Sequence, residues 1–356
     1  MDKAGKKENA LEMIRCFDQV KGLKVEADRA FASASHEEIL AGHTTDIYFI
    51  KTLDILRELG LENTEVTVEV FSNRPGVFAG LDEVLRLLDG KVQELWALPE
   101  GATFVAKEVV LRIRGVYSDF GPMETPLLGM LASASGWATQ ARAIKDAAGE
   151  KPVICFGARH VHPAVAPVME KAAIAGGLDG CSCILGAKLA GLEPVGTVPH
   201  AAIIVAGDTL RIAKAYDAVM PPDEPRTILV DTFKDEAEET LRIAEALGDR
   251  LDSVRLDTPS ERGRVTPELV REVRARLDMA GHSKVKIFCS GGLDPERVRL
   301  LSEAGADGFG VGSYISAARP IDMTLDIKEV EREAVAKRGR IPGLSPTDRL
   351  VRIQMI

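Results

Sequence analysis

His200 stands directly before the apolar run AAIIVA in GTVPHAAIIVAGD, residues 196–208. A neutral imidazole can act as a base or as a nucleophile that accepts a phosphoryl group, and spacing alone leaves both roles open. Two glycine stretches suit the same chemistry: SGGLDPERV at 290–298 and GVGSYI at 310–315. Each follows an apolar run and precedes a helical pattern. Glycine there lets backbone N–H groups approach an anion, so Gly291, Gly292, Gly312 and Ser313 form a candidate phosphate cradle. Polar residues at the ends of other apolar runs complete the set. Asp231 and Thr232 follow ILV, Arg255 and Asp257 lie in VRLDT, and Arg159 and His160 follow ICFGA. Asp179 lies in GGLDGCSC and Thr197 beside Gly196. A guanidinium fork holds carboxylate or phosphate. Aspartates bind ribose hydroxyls or magnesium, for which Asp231 and Asp257 are the candidates. The set describes a site for an anionic sugar phosphate with a metal ion.

Such residues need a frame. From Glu124 onward the chain alternates apolar strands with amphipathic helices: VICFG, LDGCSCI, VGTV with HAAIIVAGD, TILVDT, SVRLDT, KIFCSGG and DGFGVGS. About seven strand starts with helices between them predict a parallel sheet covered by helices, close to a (β/α) barrel but short of a regular one. In such a barrel the C-terminal strand ends face the site, and the last two loops are a frequent phosphate position. HAAIIVA is read here as a buried strand. Upstream, a helix over 10–21 is expected. A second helix should run to Leu59, capped at Thr44, Thr45 or Asp46 and stopped by Gly60. TEVTVEVFS and the stretch KVQELWALPEGATFVAKEVVLRIRGV read as strands. The division expected is a mixed α/β domain over 1–135, joined by the tail 321–356, and an irregular α/β barrel over 136–320.

Composition excludes several classes. The 356 residues are 46% apolar and 28% charged, with a net charge of -9 and a pI near 5.4. An acidic surface argues against nucleic acid or an anionic membrane as partner. Five cysteines without a CxxC pair predict no disulfide framework and fit a reducing cytoplasm. Cys181 and Cys183 read as alternation on a buried strand. The lysines near the N-terminus lack a following apolar stretch, so a secretory leader is not expected. Nor is a membrane span. His36 and His282 read as surface residues and His43 as local to its helix, while His162 accompanies His160 at the anion pocket.

Taken in order, HTTDIYF, LPEGATF, ETPLLGMLASASGWATQAR, FGARHVHPAVAPVMEKAAIAGGLDGCS, GTVPHA, LVDTFKDE, SVRLDT, SGGLDPERV and GVGSYI resemble the nicotinate phosphoribosyltransferases, type II phosphoribosyltransferases, in their shorter archaeal and bacterial form. The resemblance covers 43–315. It implies transfer of a phosphoribosyl group from 5-phosphoribosyl 1-pyrophosphate to nicotinate, yielding nicotinate mononucleotide and pyrophosphate for NAD salvage. It also implies magnesium, ATP as co-substrate, and a phosphohistidine at His200. By the same resemblance Tyr48 and Asp46 carry the TD-x-Y motif, whose tyrosine stacks on the pyridine ring across a homodimer interface. Arg159 and Arg255 match arginines near nicotinate and pyrophosphate. Asp179 and Asp257 match acids near base and ribose, and Gly291, Gly292, Gly312 and Ser313 match the 5-phosphate cradle. The chain departs from the pattern at His160, where many members have a second arginine, and at Ala201, where many have serine. Two other readings stand beside this one. Quinolinate phosphoribosyltransferase shares the fold but lacks the TD-x-Y helix and the phosphohistidine. A non-catalytic relative would bind phosphoribosyl compounds without turnover.

Overall fold

A computed structural model describes residues 11–354. They form two compact units: one runs to Gly136 and resumes at Pro320, the other is Trp137–Arg319. The division falls inside the 25-residue helix Glu124–Ala148.

The first unit is built on a six-stranded antiparallel sheet in the order Glu333–Ala334, Met323–Val330, Glu65–Ser72, Val109–Val116, Glu94–Ala97, Val351–Ile353. The tail from Ile321 thus supplies strands to this sheet. Val68, Val70, Leu95, Leu111 and Ile113 are fully buried, together with Leu87 and Leu88 of helix Leu81–Leu88. Each such side chain contributes roughly 1.5–3 kcal/mol of burial. Helix Ile47–Glu58 follows Asp46 at its cap position, and Gly60 sits at φ +68 just past its end. The helix expected over 10–21 is shorter: it is Phe17–Gly22, and Ala10 lies outside the described residues. The side chain of Gln19 accepts from the backbone N–H groups of Arg15 and Cys16. That reciprocal cap starts the helix late.

The second unit holds a six-stranded parallel sheet in the order Gly180–Cys181, Val153–Cys155, Gly308–Val311, Lys286–Ser290, Ser253–Leu256, Thr227–Leu229. The seventh strand is missing, and the expectation for HAAIIVA is corrected. His200–Ala206 is a helix that begins after extended Pro199 and ends at Gly207, φ +76. Only Ile203 is buried, while Ile204 and Val205 are 60% and 89% exposed. A short apolar run fits either element by pattern, and this one buries a single face of two turns. The remnant of the expected VGTV strand is one bond: the Val195 N–H donates to the Cys181 carbonyl at 2.9 Å. Segment 191–199 thus keeps one backbone tie to the edge strand Gly180–Cys181.

Parallel strands put all their C-terminal ends on one side. The loops starting at Phe156, Ser182, Val230, Asp257, Gly291 and Gly312 therefore share one end of the sheet.

Candidate active site

Arg255 organises this end. It sits within the strand Ser253–Leu256 with its side chain mostly buried. Its Nε donates to Ser290 Oγ (2.9 Å), one Nη to Thr197 Oγ1 (2.9 Å) and the other to Asp257 Oδ2 (2.8 Å). Its guanidinium also covers the Phe156 ring, 5.2 Å from the centroid. Ser290 Oγ donates in turn to Asp257 Oδ1 at 2.9 Å. Arginine, serine and aspartate from neighbouring strands thus lock one another, a rigid arrangement with all five guanidinium donors pre-aimed. A cavity of about 260 Å³ opens beside the network, lined by Phe156, Val195, Thr197, Pro225, Thr227 and Phe288 among others.

His200 reaches the same place from the first turn of its helix. Its Nδ1 lies 3.1 Å from Thr232 Oγ1, and its Nε2 lies 3.7 Å from both Asp231 Oδ2 and Asp257 Oδ2. Asp231 is the unusual member. Its side chain is 0% exposed and neither carboxylate oxygen has a hydrogen-bond partner among the described residues. Burial pushes its pKa up to about 6, only partly offset by His200. A buried, unsatisfied carboxylate is costly to hold.

The glycine loops complete the floor. Gly292 is in the left-handed region at φ +62, and a Cβ there would overlap Arg264 Nη1 at 1.4 Å. At Gly312 a Cβ would meet the Phe156 carbonyl (2.8 Å) and His160 Cε1 (2.9 Å). At Gly312 the backbone carbonyl demands glycine, whereas at Gly292 the positive φ favours it and the arginine tip could move aside. Ser313 opens the short helix Ser313–Ser316. His160 packs on this loop, its Nδ1 3.2 Å from Ser316 Oγ, with exposed Arg159 alongside. Burial, then the Arg159 charge, lowers the His160 pKa.

Asp179 does not join them. It precedes the strand Gly180–Cys181, at the opposite end of the sheet, where Oδ2 accepts from the Val153 N–H (2.8 Å) and pairs with Lys145 (2.9 Å). Asp252 and Asp307 do the same for the N–H groups of Arg226 and Ile287. All three close the starts of neighbouring strands, so Asp179 is structural. Ser290, Phe156 and Arg264 were missed as side chains. Ser290 stood inside a motif read only for its glycines, and nothing periodic marks Arg264.

Asp46 and Tyr48 belong to the first unit. Asp46 does not cap its helix with its side chain; Oδ2 accepts from Thr125 Oγ1 at 3.2 Å. Tyr48 is 55% exposed. Both line a cavity of about 270 Å³ with Glu124, Thr125 and Asp322. Burial raises Glu124 to about 7.

Among the described residues no group of three or more His, Cys, Asp or Glu is placed to hold a metal by itself, and no helix is long and apolar enough to cross a membrane.

Residues 46–135 match the N-terminal domain of quinolinate phosphoribosyl transferase and residues 137–326 its C-terminal domain. The chain belongs to this family. Within it, the chain is 32% identical over 247 residues to nicotinate phosphoribosyltransferase pncB2 of Mycobacterium tuberculosis, covering 67% of this chain and 52% of that one. It thus spans about half the length of this curated relative. It is 25% identical over 319 residues to nicotinate phosphoribosyltransferase of Bacillus subtilis, covering 77% and 63%. The crystal structure of nicotinate-nucleotide pyrophosphorylase from Pyrococcus furiosus superposes with a TM-score of 0.84 at 47% identity, covering 89% of this chain and 82% of that one. The fold is thus that of the family, a mixed N-terminal domain and a parallel-sheet α/β domain.

Proposed function

We propose that the protein transfers a phosphoribosyl group from 5-phosphoribosyl 1-pyrophosphate to nicotinate, with ATP hydrolysis coupled through phosphorylation of His200. The observation that carries this reading is the placement of His200 between Asp231 and Asp257, beside the Arg255–Ser290 network. The names of the Mycobacterium and Bacillus relatives support the base.

The residues divide the work by charge. Gly291, Gly292, Gly312 and Ser313 hold the 5-phosphate through backbone N–H groups. Arg255 draws on the pyrophosphate as it leaves. Asp257 faces the ribose, where positive charge develops at the reacting carbon. Arg159 and His160 orient the carboxylate of the base. The unpartnered oxygens of Asp231, with Asp257, fit magnesium, which would offset the charge of the diphosphate. Nδ1 of His200 is held by Thr232, which leaves Nε2 as the nitrogen that accepts the phosphoryl group. Tyr48, exposed on its own unit, completes a neighbouring copy's site in a homodimer or larger assembly.

The assay that tests this supplies nicotinate, quinolinate or nicotinamide with the donor and magnesium, each with and without ATP. Nicotinate mononucleotide from nicotinate, stimulated by ATP, is expected. Product from quinolinate alone would establish the second reading, which the family's domain descriptions favour. No product from any base would leave a binding protein. His200→Ala is expected to abolish the ATP stimulation while a slow ATP-independent transfer persists, because the sugar chemistry uses other groups. An ATP response equal to the parent's would remove the phosphohistidine.

A further inference from the structure

We infer that Arg264 is a phosphate-binding residue, which closes over the Gly291–Gly292 turn onto the phosphate monoester of the sugar substrate. The inference rests on the phosphoribosyl reading above and adds a side chain to a cradle otherwise made of backbone.

Three observations converge on it. The first is position. The Arg264 guanidinium points Nη1 at Gly292, where even one methyl group would displace it. The second is the backbone that puts it there. Gly263 and Arg264 are both left-handed, at φ +89 and +65, and the Arg264 N–H returns to the Pro259 carbonyl at 3.1 Å. A non-glycine residue in that region is disfavoured because its Cβ crowds the following carbonyl oxygen. The loop holds that strain while folding the arginine back over the glycine turn.

The third observation is what the guanidinium lacks. Among the described residues Arg264 makes no side-chain hydrogen bond and no ion pair, although it is half-buried. It acts on the exposed Glu261 through its field alone. The backbone N–H groups of Gly291 and Gly292 also have no partner among the described residues. Arg255, one strand away, by contrast already gives each of its three nitrogens a protein acceptor. Donors converging without an acceptor, one of them a planar cation, match the oxygens of a phosphate.

The test is direct binding of ribose 5-phosphate and, separately, of pyrophosphate to the full chain, measured by calorimetry. Arg264→Ala is expected to weaken ribose 5-phosphate by roughly 10- to 100-fold and to change pyrophosphate little, with Arg264→Lys intermediate. Gly292→Ala places a methyl where the guanidinium lies and is expected to weaken the same ligand. Adding Arg264→Ala to it should then cost less than it does in the parent, because the contact is already lost. Ribose 5-phosphate binding unchanged in Arg264→Ala would overturn the inference, as would a loss confined to pyrophosphate. If the parent binds ribose 5-phosphate through Arg264 yet transfers it to no base, the functional reading falls and the inference stands. If the parent binds neither compound, both fall.

Discussion

Arg255→Ala is expected to lower kcat/KM for the phosphoribosyl donor by roughly 10²- to 10³-fold. Three hydrogen bonds and the contact with Phe156 are lost together. The larger effect is on what remains. Asp257 keeps its charge without its main partner, and Ser290 and Thr197 lose the group that fixes their hydroxyls. Truncating one side of a buried, hydrogen-bonded charge pair leaves the other side unpaired, which is why the loss exceeds the worth of the contacts themselves. Arg255→Lys retains charge but cannot reach three acceptors from one nitrogen, so it recovers only part of the rate. Steady-state kinetics on chains shown to melt like the parent decide the matter. A drop of less than a few-fold would show that the network is scaffolding alone.

Asp231→Asn is expected to slow turnover by roughly 10²- to 10⁴-fold and to stabilise the fold at the same time. The sign follows from the carboxyl's position. Its pKa is about 6 in the folded chain against an ordinary 3.8. Between those values the folded state binds more protons than the unfolded one. Stability therefore falls as pH rises from about 4 to about 6, and the cost remains at higher pH. Asparagine carries no charge to bury. The variant should exceed the parent by on the order of 2 kcal/mol at pH 8 and lose that advantage at pH 4. Denaturant midpoints at the two pH values measure this. An equal difference at both would mean that burial of the charge is not what Asp231 costs.

The site was legible wherever strand direction decided it. Apolar runs such as ILV and SVRL fixed strands, chain direction fixed their ends, and Asp231, Arg255, Asp257 and the glycines followed. Asp179 failed by the same logic: beside a strand of only two residues, one position separates the two ends of the sheet. His200 lies beside Asp231 and Asp257 but on another element than expected, because a six-residue apolar run does not distinguish a strand from two helical turns. Arg264 was not legible at all. Its reach depends on two successive left-handed residues, which the letters GR do not announce. In the first unit the alternation of TEVTVEVFS gave its strand directly. The late start of the first helix turned on a single glutamine side chain.

The loss of the VGTV strand bears on how this protein spends its time. A full strand there would be zipped to its neighbour by a ladder of bonds and would separate only in concert with it. The stretch 194–198 instead hangs on the Val195–Cys181 bond and the Thr197–Arg255 bond. A stretch held by so few links opens far below the free energy of global unfolding, and its amides exchange with solvent while the ladder's stay protected. Thr197 and His200 ride on that hinge-like stretch and its helix. Entry and escape of whatever the site holds are thereby uncoupled from the melting of the sheet.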